Sequence, residues 1–320
     1  MAIWHNAFLI YNPSAGKLKG TSGRLLQRTI DALRTQGHTI TAVPTHGQGT
    51  AGSIAAESVA GGADLIIAAG GDGTINEVAN GLIGTNAPVE SNTHVPIAIL
   101  PGGTANVLSV ELGLGTSMIR AAERLSDLVP ERIAAGQLES ASESRHFLLM
   151  AGAGFDAMIV YSLSAALKEK LGRAAYWVGG FQHLGRPLPQ FHVRVNGNVS
   201  QCSFALATRV RNYGGDLTIA REASLFSKHF ELVLFQGTSS LPYFRYLLGI
   251  VTGTLAQMPG VSIVRTDSAS FESAGDSGVY IQIDGEIAGR LPATLRIVPD
   301  AITLLVPEAF RTRHQRNGHG

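Results

Sequence analysis

From Asn6 to about residue 125, short apolar runs alternate with stretches whose apolar residues recur every three or four positions. Asn6 to Tyr11 is a strand-like run. Thr21 to Gln36 puts Leu26, Ile30 and Leu33 on one helical face, opens on a Thr or Ser cap and stops at Gly37. The pattern then predicts a strand over Thr39 to Pro44, a helix through Ile54 to Val59 and a buried strand from Ala63 to Ile67. A helix after Thr74, a strand from Pro96 to Leu100 and a helix from Asn106 complete the series. Strands separated by helices imply a parallel sheet covered on both faces, with ligands at the carboxyl ends of the strands.

The character changes near Glu131. Arg132 to Glu139 and His146 to Met150 read as strands, and Phe191 to Thr208 as two strands around the Asn-Gly turn of Val195-Asn196-Gly197-Asn198. More strands are predicted at Glu231 to Phe235, Val261 to Arg265, Val279 to Ile283, Thr294 to Val298 and Ile302 to Val306, with helices at Ala157 to Leu171 and Pro242 to Leu255. The expectation is an α/β domain over 1–130, a mostly antiparallel β domain over 131–308, a cleft between them, and a basic, frayed tail over 309–320.

Composition narrows the class. Hydrophobic residues at 45% against 15% charged describe a folded protein with a sizeable core. A net charge of +1 gives no footing for nucleic acid. The single cysteine, Cys202, rules out an internal disulfide, fits a reducing compartment, and lies in an alternating run that reads as core. No apolar stretch is long enough to span a bilayer and no signal peptide is evident, so a cytoplasmic protein is expected.

Chemistry concentrates in three turns. Asn12-Pro13-Ser14-Ala15-Gly16-Lys17 leaves the first strand, Gly70-Gly71-Asp72-Gly73-Thr74 the third, and Pro101-Gly102-Gly103-Thr104-Ala105-Asn106 the fourth. All three should open on one sheet edge. Small residues let backbone N–H groups approach phosphate oxygens, a helix N-terminus favours anions, Thr74 and Thr104 can donate, and Lys17 can neutralise charge. A nucleoside triphosphate would satisfy all of them.

GGDGTINEVANGL, NPSAGK and LPGGTANVLSVELGL together resemble the catalytic domain of the diacylglycerol kinase family, which includes sphingosine and ceramide kinases and bacterial lipid kinases. The likeness continues through Gly152-Ala153-Gly154-Phe155-Asp156-Ala157, Ile283-Asp284-Gly285-Glu286 and Val306-Pro307. It implies an α/β nucleotide-binding domain followed by a β-sandwich domain, and transfer of the γ-phosphoryl group of ATP to a lipid hydroxyl. It further implies ATP contacts at Asn12 through Gly16, Thr45, Gly70 through Asn76, and Gly103, Thr104 and Asn106. Glu286 is then the base and Asp284 part of its acidic cluster, with Asp72, Asp156 and Asp284 supplying magnesium and water contacts. Peripheral association with the inner face of a membrane follows from the substrate class.

One departure stands out. Where family members carry acid for a second, structural metal, this chain reads Ala223-Ser224-Leu225-Phe226-Ser227-Lys228-His229-Phe230, which has no carboxylate, so only the magnesium that accompanies ATP is kept. Ala174 to Phe181 and Leu241 to Leu248 are candidate membrane-facing stretches, weighed against core helices. NAD kinase, which shares the Gly-Gly-Asp-Gly-Thr turn, and a catalytically silent nucleotide- or lipid-binding regulator remain the alternatives. The acceptor lipid and the oligomeric state, a homodimer included, are left open.

Overall fold

The structure is a computed structural model that describes residues 3–19, 22–85, 95–155, 188–213, 217–238, 242–275 and 278–317. The chain divides into two compact units, one of residues 1–134 with 300–320 and one of residues 135–299.

The first unit runs β1 (Ala7–Tyr11), α1 (Ser22–Thr35), β2 (Ile40–Pro44), α2 (Thr50–Ala60), β3 (Leu65–Gly70), α3 (Asp72–Thr85), β4 (Ile97–Pro101), α4 (Val107–Glu111) and α5 (Met118–Glu123). Its strands pair in parallel in the order β2-β1-β3-β4. The run Leu65-Ile66-Ile67-Ala68-Ala69-Gly70 is buried throughout, as a central strand of a sheet covered on both faces must be. Helix α2 begins at Thr50, four residues before the predicted run, and crosses α3 at Gly52 and Gly81. There a Cβ on Gly81 would lie 2.1 Å from the Gly52 carbonyl oxygen.

The rest of the chain is β5 (Leu128–Ser140), β6 (Ser144–Phe147), β7 (Met150–Gly154), β8 (Phe191–Val195), β9 (Asn198–Cys202), β10 (Phe204–Thr208), β11 (Asn212–Tyr213), β12 (Leu217–Thr218), β13 (Phe230–Phe235), α6 (Pro242–Thr252), β14 (Val261–Thr266), β15 (Ser268–Ser273), β16 (Tyr280–Ile283), β17 (Glu286–Arg290), β18 (Ala293–Pro307) and α7 (Glu308–Asn317). In the second unit, β14-β13-β10-β7-β16-β17 form an antiparallel sheet, and β15 pairs antiparallel with β8 and with the first half of β18. Phe147, Phe191, Phe230, Phe271 and the alternating residues of β10 and β13 fill its core together with Cys202, whose thiol burial pushes up to about 12.

Several expectations change. Phe191 to Thr208 holds three strands, and β15, a Ser-rich run, was not foreseen. The two predicted strands after residue 293 are one strand, β18, interrupted by Asp300 at φ 47. Its second half returns to the first unit, where Leu304 pairs in parallel with Ile97, so residues 300–308 group with the first compact unit. The tail is helical through Asn317, anchored by buried Phe310. The predicted helix over 157–171 and the stretch Ala174 to Phe181 lie outside the described residues.

Candidate functional site

In the first unit, the carboxyl ends of the parallel strands are in register: Tyr11 pairs with Pro44 and Ala69, and Gly70 with Pro101. The three small-residue turns therefore leave the sheet at one edge, as expected. Their backbones are joined. Asn12 N–H donates to the Ala69 carbonyl (3.0 Å), Gly102 and Gly103 N–H to that of Gly70 (2.7 and 3.2 Å), Lys17 N–H to that of Gly102 (3.0 Å), and Thr45 N–H to that of Tyr11 (2.9 Å). Side chains continue the link, since Asn12 Nδ2 donates to Thr74 Oγ1 at 3.3 Å, and Thr104 Oγ1 lies 3.6 Å from where a Gly16 Cβ would stand.

Each turn is also stiffened from within. The Asn12 carboxamide oxygen accepts the Ser14 N–H (2.9 Å), an Asx turn that leaves Pro13 and Ser14 exposed over buried Ala15. Asn106, fully buried and left-handed at φ 50, clasps Gly103 by accepting its N–H and donating to its carbonyl, both at 2.8 Å. Asn76 is buried and accepts from Asn80 Nδ2. Lys17 Nζ donates to the Thr116 carbonyl, and burial pulls its pKa down, so this cation is tied into the edge. Thr45 is buried just beyond β2.

The first backbone bond of α3 is Ile75 N–H to the Gly71 carbonyl (3.1 Å), so the helix opens directly beyond the glycine pair that ends β3. Gly71, Asp72 and Gly73 are half-buried at this helix start, the end of a helix whose dipole favours an anion. The Asp72 carboxylate itself turns to α4, where its two oxygens accept Val107 N–H (3.0 Å) and Leu108 N–H (3.1 Å). Glu77, five residues on, does the same for α2 by accepting Gly49 N–H (2.8 Å) and Ala51 N–H (3.1 Å). Nothing local in the sequence shows which amides Glu77 meets.

In the second unit, Asp284 and Gly285 are the two central residues of the β16–β17 hairpin turn, with φ 47 and 85, closed by the pair Ile283 and Glu286. The Asp284 carboxylate accepts three backbone N–H groups, from Leu148 (2.9 Å), Leu149 (2.9 Å) and Met150 (3.0 Å). Buried Gln282 accepts the Gly285 N–H at 2.8 Å. Glu286 follows directly, partly exposed, with Oε2 at 2.8 Å from the Arg145 guanidinium. Arg209, also unforeseen, is fully buried beyond β10 and donates to the carbonyls of Leu148 and Leu225. An arginine closing the apolar run Phe204 to Ala207 was the available signal. Leu225 belongs to the stretch that lacks metal-binding acid.

Asp156, expected at the metal, lies outside the described residues. Asp72 and Asp284 belong to different units, and both oxygens of each accept backbone N–H groups. Among the described residues no group of three or more His, Cys, Asp or Glu gathers as for a metal ion. Carboxylates so engaged do not by themselves form a cage for a metal ion.

Residues 6–138 match the family model of the diacylglycerol kinase catalytic domain, and residues 150–306 that of the YegS C-terminal NAD kinase beta sandwich-like domain. Residues 6–138 belong to the diacylglycerol kinase catalytic-domain family. The chain is 29% identical over 293 residues to the diacylglycerol kinase of Bacillus subtilis (strain 168), covering 89% of this chain and 91% of the relative. The diacylglycerol kinase of Mycobacterium tuberculosis (strain ATCC 25618 / H37Rv) is 27% identical over 303 residues, covering 92% and 93%. The solved structure of a diacylglycerol kinase from Bacillus anthracis str. Sterne shares the fold, with TM-score 0.76, 21% identity, and coverage of 96% of this chain and 98% of the other. Family membership supports a kinase. The observed architecture, a mixed sheet dominated by parallel strands followed by antiparallel sheets, is the family's two-domain arrangement.

Proposed function

We propose that the protein is an ATP-dependent lipid kinase that transfers the γ-phosphoryl group of ATP to the hydroxyl of a lipid alcohol such as diacylglycerol or a sphingoid base. The observation that carries this reading is the cross-linked edge of three small-residue turns, with the N-terminus of α3 beside them. Such an edge suits a polyphosphate, because fixed backbone dipoles favour anionic oxygens with no reorganisation on binding. Gly16, Gly71, Gly73, Thr74 and Thr104 would face the phosphates, and Lys17 would add a positive charge. Asp72 supports the edge by holding α4.

In the second unit Glu286 is the base. It takes the proton from the lipid hydroxyl as the oxygen–phosphorus bond forms and the bond from the γ-phosphorus to the bridging oxygen breaks, releasing ADP. Arg145 fixes the direction of its carboxylate. Magnesium, when bound with the nucleotide, offsets the charge on the phosphates.

A route to the lipid is supported by α6, whose inner side packs Tyr243 and Tyr246 against Phe235 while Leu248 (61% exposed) and Val251 (66% exposed) share its outer face with exposed Arg245. Apolar residues flanked by a cation suit the interface of an anionic bilayer. Of the described residues in the Leu241 to Leu248 stretch, Tyr246 is thus buried and Leu248 exposed, while Leu241 lies outside the described residues. Among the described residues no helix is long and apolar enough to cross a membrane.

The likeness of residues 150–306 to an NAD kinase beta sandwich-like domain keeps NAD as the competing acceptor. Incubation with γ-labelled ATP, magnesium and mixed micelles that each contain one lipid alcohol, with NAD in parallel, separates the readings. Label in one lipid supports the kinase and names its acceptor. Label in NADP overturns the lipid assignment, and no label with intact ATP binding points to the silent regulator. Glu286→Gln should lower transfer by about 10²–10⁴-fold while ATP still binds, measured by the same assay and by calorimetry. Near-wild-type turnover in this variant would remove Glu286 as the base.

A further inference from the structure

We propose that Arg209 is a positioning residue for Glu286, a buried guanidinium that locks the hairpin turn carrying the base through Leu148–Met150 and Asp284. The inference rests on the kinase reading above and adds a residue outside both the turns and the hairpin.

The segment Leu148–Met150 is gripped from two sides. Its three N–H groups donate to the Asp284 carboxylate, and the Asp284 N–H returns to the Met150 carbonyl at 2.9 Å. Its carbonyls turn to Arg209: Nη1 donates to Leu148 O at 3.2 Å, and the Arg209 backbone N–H to Leu149 O at 2.8 Å. The second arm of the guanidinium, Nη2, reaches the Leu225 carbonyl, so one side chain ties the Ala223 to Phe230 stretch to the same segment. Arg209 is 0% exposed. A charge so placed is costly unless it is compensated. Burial lowers its pKa to about 10 while the Asp284 charge acts in the opposite direction, so the side chain is still a cation at neutral pH.

This arrangement sets where the base stands. Glu286 closes the two-residue turn that Asp284 opens, so a shift of Asp284 moves Glu286 with it. Arg145, the ion-pair partner of Glu286, lies in β6, three residues before Leu148 on the gripped segment. Both contacts of Glu286 therefore refer back to Leu148–Met150. Lysine cannot replace the fork, because one ammonium on a flexible stem does not hold two separated carbonyls in fixed directions. A displacement of the base of about 1 Å can cost about 10²-fold in rate.

The test compares wild type, R209K, D284N and R209K/D284N in the mixed-micelle assay and by amide hydrogen exchange. R209K should lose about 10–100-fold in kcat with KM for ATP within about twofold, because the nucleotide edge is untouched. D284N should show the same split, and the double variant should be no worse than the poorer single one, since both act on one linkage. Exchange should quicken at Leu149, Met150 and Gly285 while Leu206 and Val233 keep their protection. Wild-type kcat in R209K, additive losses, or exchange rising equally across β10 and β13 overturns the proposal. If R209K does not fold, D284N, which keeps an acceptor but removes the charge, carries the same comparison. If the wild type labels no lipid, the kinase reading fails by itself, and unchanged exchange at Leu149 and Gly285 in the variants would separately overturn the grip.

Discussion

Single residues in the glycine-rich turns separate into two kinds. A Cβ on Gly70 would come within 2.6 Å of the Thr74 side chain, and one on Gly103 within 2.5 Å of the Gly71 Cα, so these glycines allow the turns to pack on one another. A Cβ on Gly16 would meet nothing closer than Thr104 Oγ1 at 3.6 Å. Gly103→Ala should therefore destabilise the protein by about 1–3 kcal/mol, as overpacking against backbone does, whereas Gly16→Ala should melt close to wild type and bind ATP more weakly. Thermal unfolding with a nucleotide titration checks both, and a Gly16→Ala protein that binds ATP normally would detach that turn from the phosphates. The acids divide similarly. Asp72 and Asp284 were legible in the sequence as important carboxylates, but their amide partners lie 35 and about 135 positions away, and no local pattern announces them.

Secondary-structure elements were legible where the signal was local. Asn196-Gly197 and Asp284-Gly285 form the two-residue turns that their chemistry predicts, each with two positive φ values. β15 carries no clear local signal, because Ser268-Ala269-Ser270-Phe271 offers only Ala269 and Phe271 to the core, and its pairing with β8 and β18 supplies the rest. The close crossing of α2 and α3 depends on paired glycines 29 residues apart in sequence, at positions 52 and 81. Gly81→Ala would drive a methyl into the Gly52 carbonyl and should cost about 3 kcal/mol or prevent folding, read from denaturant unfolding. Loosening this crossing also disturbs the Glu77 cap on α2, so ATP affinity should fall with stability.

For the whole chain, acid is the expected weakness. His38 is buried, its Nδ1 lies 3.2 Å from the Trp4 N–H and its Nε2 3.2 Å from Ser126 Oγ, an arrangement that needs a neutral ring. Burial lowers its pKa below 6.5, more than the Asp64 charge restores, and burial followed by the Arg296 charge lowers that of His146. The unfolded chain thus binds these protons first. Stability should be fully present above about pH 6.5 and fall as pH drops through the folded-state values. Melting temperatures taken from pH 7.5 to 5 should show this decline, with a shallower slope in His38→Gln. An equal slope in the variant would assign the acid sensitivity to other groups.

The sequence by itself determined the alternation of strands and helices, the tight turns, the parallel sheet edge on which three small-residue turns open, and the family. These follow from periodicity and turn chemistry, which act over a few residues, and from motifs that are contiguous in the chain. Only the tertiary structure decided that β18 carries the chain back to the first unit, that Asp72, Glu77 and Asp284 cap backbone amides, and that Arg209 is buried against Leu148 and Leu225. Those outcomes depend on which distant segments meet, because a buried charge or an open helix end is satisfied by whatever group the fold brings within hydrogen-bond reach.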